Sequence, residues 1–237
     1  MLKPYQTIPI EECGESLTAI PLHHFVVQSP HPYQMLGAPY ELSPVDSPYY
    51  LRQEVVDRLI QAQVRLEALR RGWKILIFDA YRPIEVQRFM VDYTFADLLK
   101  QKGLTPDSLS AEQHQSLLEE VHQFWAVPSP SLATPPPHST GAAIDVTLAD
   151  ADQNPVDMGS PIDEISSRSF PSHFAESCDP QEQHYHQNRQ ILAQLMTSAG
   201  FQQHPNEWWH FSYGDQMWAW LNRQRDDAIM MARYGRY

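Results

Sequence analysis

The run His-Ser-Thr-Gly-Ala-Ala-Ile-Asp-Val-Thr-Leu, residues 138–148, constrains the fold of this chain more than any other stretch. Ile144, Val146 and Leu148 are what a buried strand requires, and Asp145 stands among them. An unpaired carboxylate in such surroundings costs several kcal/mol. Either Asp145 faces solvent from an alternating strand, or it holds a cation. The prolines at 135–137 make a stiff, extended approach that delivers His138 to a fixed place. Gly141 permits backbone angles that other residues resist. A turn there can bring the loop histidine and the strand carboxylate to one ion.

Around this run the pattern alternates between helices and short apolar strands. From Tyr49 to Arg71, Leu51, Val55, Leu59, Ala62, Leu66 and Leu69 recur at helical spacing, and Gly72 follows as a C-cap. Ile75 to Phe78 reads as a buried strand ending at Asp79, with Pro83 blocking its continuation. Helices are expected from Ile84 to Lys102, from Ala111 to Trp125 and from about Gln181 to Ala199. Glu207 to Tyr213, EWWHFSY, reads as a last strand. Residues 1–48 are irregular and dotted with proline, with HHFVV a candidate edge strand, and 214–237 form a C-terminal extension. One α+β domain spanning 1–237 is the expectation.

Composition narrows the chemistry. The 237 residues, 42% hydrophobic with six tryptophans, suffice for a substantial core, and the net charge of −12 argues against nucleic acid or an anionic membrane as partner. No stretch approaches the ~20 apolar residues of a membrane span, and the N-terminus lacks a signal peptide's apolar run. Two cysteines, Cys13 and Cys178, are too few for a disulfide scaffold or a cysteine-rich zinc site. A cytoplasmic protein with reduced thiols is expected. Any metal would be held by histidine, of which there are eleven, and carboxylate.

The chain has no GxGxxG loop, Walker A sequence, G-x-S-x-G elbow, S-x-x-K pair or H-E-x-x-H helix. Three clusters remain: His138 with Asp145, Glu207-Trp208-Trp209-His210, and Asp79-Ala80-Tyr81-Arg82-Pro83. A zinc peptidase needs a histidine ligand and, close by, a carboxylate that leaves the metal alone and takes a proton from water. Each cluster also has a plain structural reading. On it Arg82 is simply the ion-pair partner of Asp79, and the twin tryptophans are core rather than substrate platform. Glu207 and His210, three apart, point to opposite faces of a regular strand. They share a site only if Glu207 precedes the strand or a bulge intervenes.

Together the motifs resemble the D-alanyl-D-alanine dipeptidases, the group that includes the vancomycin-resistance enzymes. HSTGAAIDVTL fits their SxHxxGxAxD pattern, with DAYRP and EWWH in the same order and at similar separations. The resemblance runs from about Tyr49 to Tyr213. It implies an antiparallel central sheet flanked by helices, a fold shared with D,D-peptidases and hedgehog signalling domains. It also implies one Zn²⁺ per chain on His138, Asp145 and His210, Glu207 as base, Arg82 as transition-state stabiliser, and a D-Ala-D-Ala dipeptide as substrate. Asp163 resembles the acidic residue that meets the substrate's ammonium group. On this resemblance zinc is the most economical partner for Asp145. One departure stands out: the serine opening the family pattern is Pro136 here, followed by Pro137, so neither position offers an N–H or a hydroxyl.

Two rival functions are compatible with parts of the pattern. A carboxypeptidase or endopeptidase of the same scaffold would trim peptidoglycan, and residues 103–137 are the insertion that could roof the site against such long substrates. A non-catalytic zinc module would need neither Glu207 nor Arg82. A metal buffer would cluster its histidines, whereas here only His184 and His186 form a pair.

Overall fold

A computed structural model describes residues 3–45, 47–224 and 231–237. Its centre is a five-stranded sheet in the order β2-β4-β5-β7-β6. The strands are β2 (Val26–Val27), β4 (Lys74–Asp79), β5 (Ala143–Ala149), β6 (Gln202–Gln203) and β7 (His210–Ser212). The pairs from β4 to β6 are antiparallel; only the edge strand β2 runs parallel to its neighbour. Two further strands, β1 (Leu17–Ala19) and β3 (Tyr50–Arg52), pair separately. The helices are α1 (Pro32–Met35), α2 (Gln53–Leu69), α3 (Ile84–Gln101), α4 (Ala111–Val121), α5 (Pro180–Ser198) and α6 (Gln216–Arg223). This is the expected α+β architecture. None of the described helices is long and apolar enough to cross a membrane.

Two apolar clusters cover the sheet. Val55, Leu59 and Leu66 of α2 pack with Leu192, Leu195 and Met196 of α5 against Ile75, Ile77, Ile144, Val146 and Leu148. Tyr33 of α1, Met90 and Val91 of α3, Val121 of α4 and Trp125 belong to the second cluster, with Phe78 packed against it. Alternation along β4 thus sends Ile77 and Phe78 to different clusters, as the period of two requires. β5 is buried at every residue, the signature of a strand covered on both faces. The option that Asp145 faces solvent is therefore removed.

Several boundaries differ from the periodicity. The helix expected from Tyr49 begins at Gln53, because Tyr50–Arg52 pair with Leu17–Ala19 and the Arg52 N–H donates to the carbonyl of Gly141. α4 ends at Val121 rather than Trp125; the residues after it form a turn closed by the Phe124 and Trp125 N–H groups on the Val121 carbonyl. EWWHFSY contributes only His210–Ser212 as strand. The C-terminal extension contains α6, whose Asp215 side chain caps its N-terminus through the Trp218 N–H.

Register is what assembles the site. Asp79 of β4 lies opposite Asp145 of β5, and Asp145 lies opposite His210 of β7. The three side chains thus form one row across adjacent strands. A register shift between Ile77 and Asp79 inserts an extra residue in β4, and such a bulge re-aims the side chain that follows it.

Candidate active site and metal centre

His138 sits in a 3₁₀ turn, Pro137–Thr140, that ends at Gly141 with φ +72°. A side chain at Gly141 would overlap Leu17, so the position needs glycine for space as well as for its left-handed backbone. Pro136 is extended (φ −58°, ψ 141°), as the proline-rich approach implied. The His138 Nδ1–H donates to the Ala80 carbonyl at 2.7 Å, which leaves the Nε2 lone pair for a ligand.

That nitrogen lies 3.1 Å from His210 Nδ1 and 3.3 Å from Asp145 Oδ2, while His210 Nδ1 lies 3.1 Å from Asp145 Oδ1. The three ligand atoms all fall within 4.8 Å of one another, and all three residues are buried. A tetrahedral zinc site with bonds of about 2.0–2.1 Å has ligand–ligand edges of about 3.3 Å. The donor set therefore fits Zn²⁺ in spacing as well as in chemistry. Two imidazole nitrogens turned toward each other beside a carboxylate also call for a cation between them.

The far side of each ligand is held. His210 Nε2 reaches Ser212 Oγ at 3.3 Å, and Ser212 Oγ–H donates to Asp215 Oδ2 at 2.8 Å. Burial raises the Asp215 carboxyl to about 6. Burial would also raise Asp145, but His138 and His210 hold it well below the usual carboxylate range. It is thus an anion in the interior, ready for a metal.

Glu207 stands in the turn before β7 and not within it, which satisfies the geometric condition for sharing a site with His210. His204 and His210 nitrogens lie 3.5 and 3.8 Å from its carboxylate, too far for strong hydrogen bonds. Burial, then the charges of Asp145 and Asp163, push Glu207 well above the usual range. A carboxylate so placed accepts a proton readily at neutral pH.

Arg82 is buried and bound on every side. Its Nε donates to Asp79 Oδ2 at 2.8 Å, its Nη1 to Gln87 Oε1 at 3.0 Å, and its Nη2 to Tyr33 Oη at 3.2 Å and Asp145 Oδ2 at 3.1 Å. The guanidinium also lies 5.0 Å from the ring centres of both Tyr33 and Trp125. Asp79 is in turn bound by His31 and Tyr40. Arg82 is therefore the structural partner of Asp79 and a neighbour of the candidate ligand Asp145 at once.

Asp163, with φ +66°, adopts a left-handed backbone that aspartate tolerates better than most residues. Its Oδ2 accepts from the Tyr33 hydroxyl at 2.8 Å. Burial, then the Asp145 charge, raise it to about 7. A carboxyl among other acids is a natural receptor for a cationic ligand.

All six residues singled out in the sequence, His138, Asp145, His210, Glu207, Arg82 and Asp163, line one cleft of about 170 Å³. Gln123, Phe124 and Trp125 from the 103–137 segment form part of its wall. Of the twin tryptophans, Trp208 donates to Ser160 Oγ within the core, whereas Trp209 reaches the cleft. Sequence reasoning missed Tyr33, Gln87 and the Ser212–Asp215 pair, which have no motif of their own. It also missed the wall formed by Lys3, Tyr5, Met217 and Trp220, contributed by the two ends of the chain.

Residues 27–230 match the peptidase M15 family, described as D-ala-D-ala dipeptidase. A D-alanyl-D-alanine dipeptidase of Synechocystis is 48% identical over 243 aligned residues, covering 99% of this chain and 97% of the relative. One from Enterococcus faecalis is 32% identical, covering 67% of this chain and 70% of its own. Among solved structures, a variant of the vancomycin resistance D,D-pentapeptidase VanY in complex with Zn(II) aligns with a TM-score of 0.47 at 17% identity, over 78% of this chain and 84% of that one. The LD-carboxypeptidase LdcB aligns with a TM-score of 0.45 at 15% identity, over 93% and 77%. By its match over most of its length and its identity to curated relatives, the chain is a peptidase and belongs to the M15 family of D-Ala-D-Ala dipeptidases.

Proposed function

We propose that this protein hydrolyses the D-Ala-D-Ala dipeptide to two D-alanines in a zinc-dependent reaction. His138, Asp145 and His210 would hold one Zn²⁺ per chain, Glu207 would act as base, Arg82 would stabilise developing negative charge, and Asp163 would receive the substrate's ammonium group. The observation that carries this reading is the set of buried ligand atoms within 4.8 Å of one another, His138 Nε2 and His210 Nδ1 each 3.1–3.3 Å from an Asp145 oxygen, beside a buried Glu207 carboxylate with no strong hydrogen bond among the described residues. When bound, zinc supplies an acidified water, its pKa brought from 15.7 to about 7, and polarises the scissile carbonyl.

The chain's own residues do the rest. Glu207 takes the proton of the attacking water and passes it to the departing amine, so one carboxylate is base and then acid. Arg82 presents its charge beside Asp145, where negative charge grows as the carbonyl carbon becomes tetrahedral. Asp163 orients the dipeptide by its amino terminus. The cleft's volume is well under the roughly 300–1,000 Å³ of drug-sized pockets, which suits a dipeptide better than a glycan-linked stem. A cytoplasmic setting accompanies this reading, supported by Cys13 and Cys178, both exposed and unpaired.

The test is release of free D-alanine from D-Ala-D-Ala by zinc-loaded protein, with a chelated control and an N-acetylated dipeptide alongside. Release that needs both zinc and a free amino terminus is expected. Activity confined to the blocked or longer peptide would move the assignment to a carboxypeptidase.

A further inference from the structure

A dipeptide carries a carboxylate as well as an ammonium group, and the cleft around Asp145, Asp163 and Glu207 repels it. Among the described residues lining the cleft, only Arg82 and Lys3 are permanent cations. Arg82 serves the developing charge at the scissile carbonyl in the reading above, and Asp79, Gln87, Tyr33 and Asp145 hold its nitrogens in that place. Pro4, Pro137 and Pro205 also line the cleft and have no N–H to offer.

Lys3 differs from Arg82 on each count. Its Nζ makes one hydrogen bond, to the carbonyl of His122 at 2.8 Å. Among the described residues that neutral acceptor is its one partner, so no carboxylate there matches its charge and two of its three protons are available. Its backbone is anchored as well, since the Lys3 N–H donates to Gln6 Oε1 at 2.8 Å. Gln216 at the start of α6 holds the next turn by donating to the Ile8 carbonyl at 2.6 Å. The side chain thus spans from the N-terminal turn to the end of α4, fixed at both ends at the cleft.

We propose that Lys3 is the anchor for the substrate's free C-terminal carboxylate and so sets the enzyme's demand for an unblocked C-terminus. The inference rests on the dipeptidase reading above. Asp163 and Lys3, which line the same cleft as the ligand set and Glu207, then hold the two charged ends of the dipeptide.

The test compares D-Ala-D-Ala with its C-terminal amide, which keeps the shape and removes the charge. Wild-type protein is expected to lose about tenfold or more in kcat/KM on the amide, mainly through KM, as for loss of a charged hydrogen bond. Lys3→Met should raise KM for the dipeptide by a similar factor and abolish the preference for it over the amide. Lys3→Gln, which can still donate to the His122 carbonyl, should behave like Lys3→Met; Lys3→Arg should retain most of the preference. The amide comparison in wild type and Lys3→Arg needs no destabilised variant. Turnover of the dipeptide by wild type with an unchanged preference in Lys3→Gln would overturn the role of Lys3 while leaving the dipeptidase standing. No turnover of the dipeptide by wild type would remove both.

Discussion

Asp79→Asn tests how the site's charges are balanced. Asp79 is fully buried, and burial alone would raise its pKa; Arg82 and then His31 lower it to about 2, against an ordinary value of 3.8. Because the folded value lies below the unfolded one, the ionised group stabilises the fold above about pH 4. That stabilisation is lost as pH falls toward 2. The difference corresponds to about 2 kcal/mol, of which about half is gone by pH 3. Asparagine forfeits this contribution and leaves the Arg82 guanidinium with Asp145 as its one remaining carboxylate. Breaking a buried pair in this way costs about 3–5 kcal/mol. The assay is urea unfolding of chelated protein, followed by tryptophan fluorescence, at pH 7 and pH 3. Wild type should exceed the variant by about 2–5 kcal/mol at pH 7, and the gap should narrow by about 1 kcal/mol at pH 3. A gap that is constant or wider at pH 3 would refute the ionised, Arg82-paired state of Asp79.

Arg82→Ala should lower kcat by about 10²–10³ with zinc retained on metal analysis; normal turnover would remove Arg82 from the mechanism. Glu207→Gln should keep zinc and lose activity, whereas Asp145→Ala should lose zinc itself, and equal zinc loss in both would mark Glu207 as a ligand. Ser212→Ala takes away the contact behind His210 and should weaken zinc binding by about 10–100-fold. Competition with a chelating dye measures this, and unchanged affinity would mean that the Ser212–Asp215 pair does not orient His210.

Much of the site was legible because its residues lie close to motifs with local physics. Gly141 after His138 signals a left-handed turn, and a lone Asp145 in an apolar run signals a charge needing a partner. Glu207 and His210 posed the question of parity, and the short strand answered it by starting at His210. The helix start at Gln53 was not legible, because the extended form of Tyr50–Arg52 depends on Leu17–Ala19, more than 30 residues away in the chain. Tyr33, Gln87 and Lys3 were invisible for the same reason: each matters only through what tertiary contact brings beside it.

By itself, then, the sequence determined the alternation of helices and buried strands, the donor types and the family. Periodicity, turn chemistry and spaced motifs are properties of neighbouring residues. Only the tertiary structure decided that Asp79, Asp145 and His210 stand in one row, that Arg82 is shared between two aspartates, and that both chain ends wall the cleft. Strand register, a bulge and long-range packing set those distances, and none of them is encoded within a single segment.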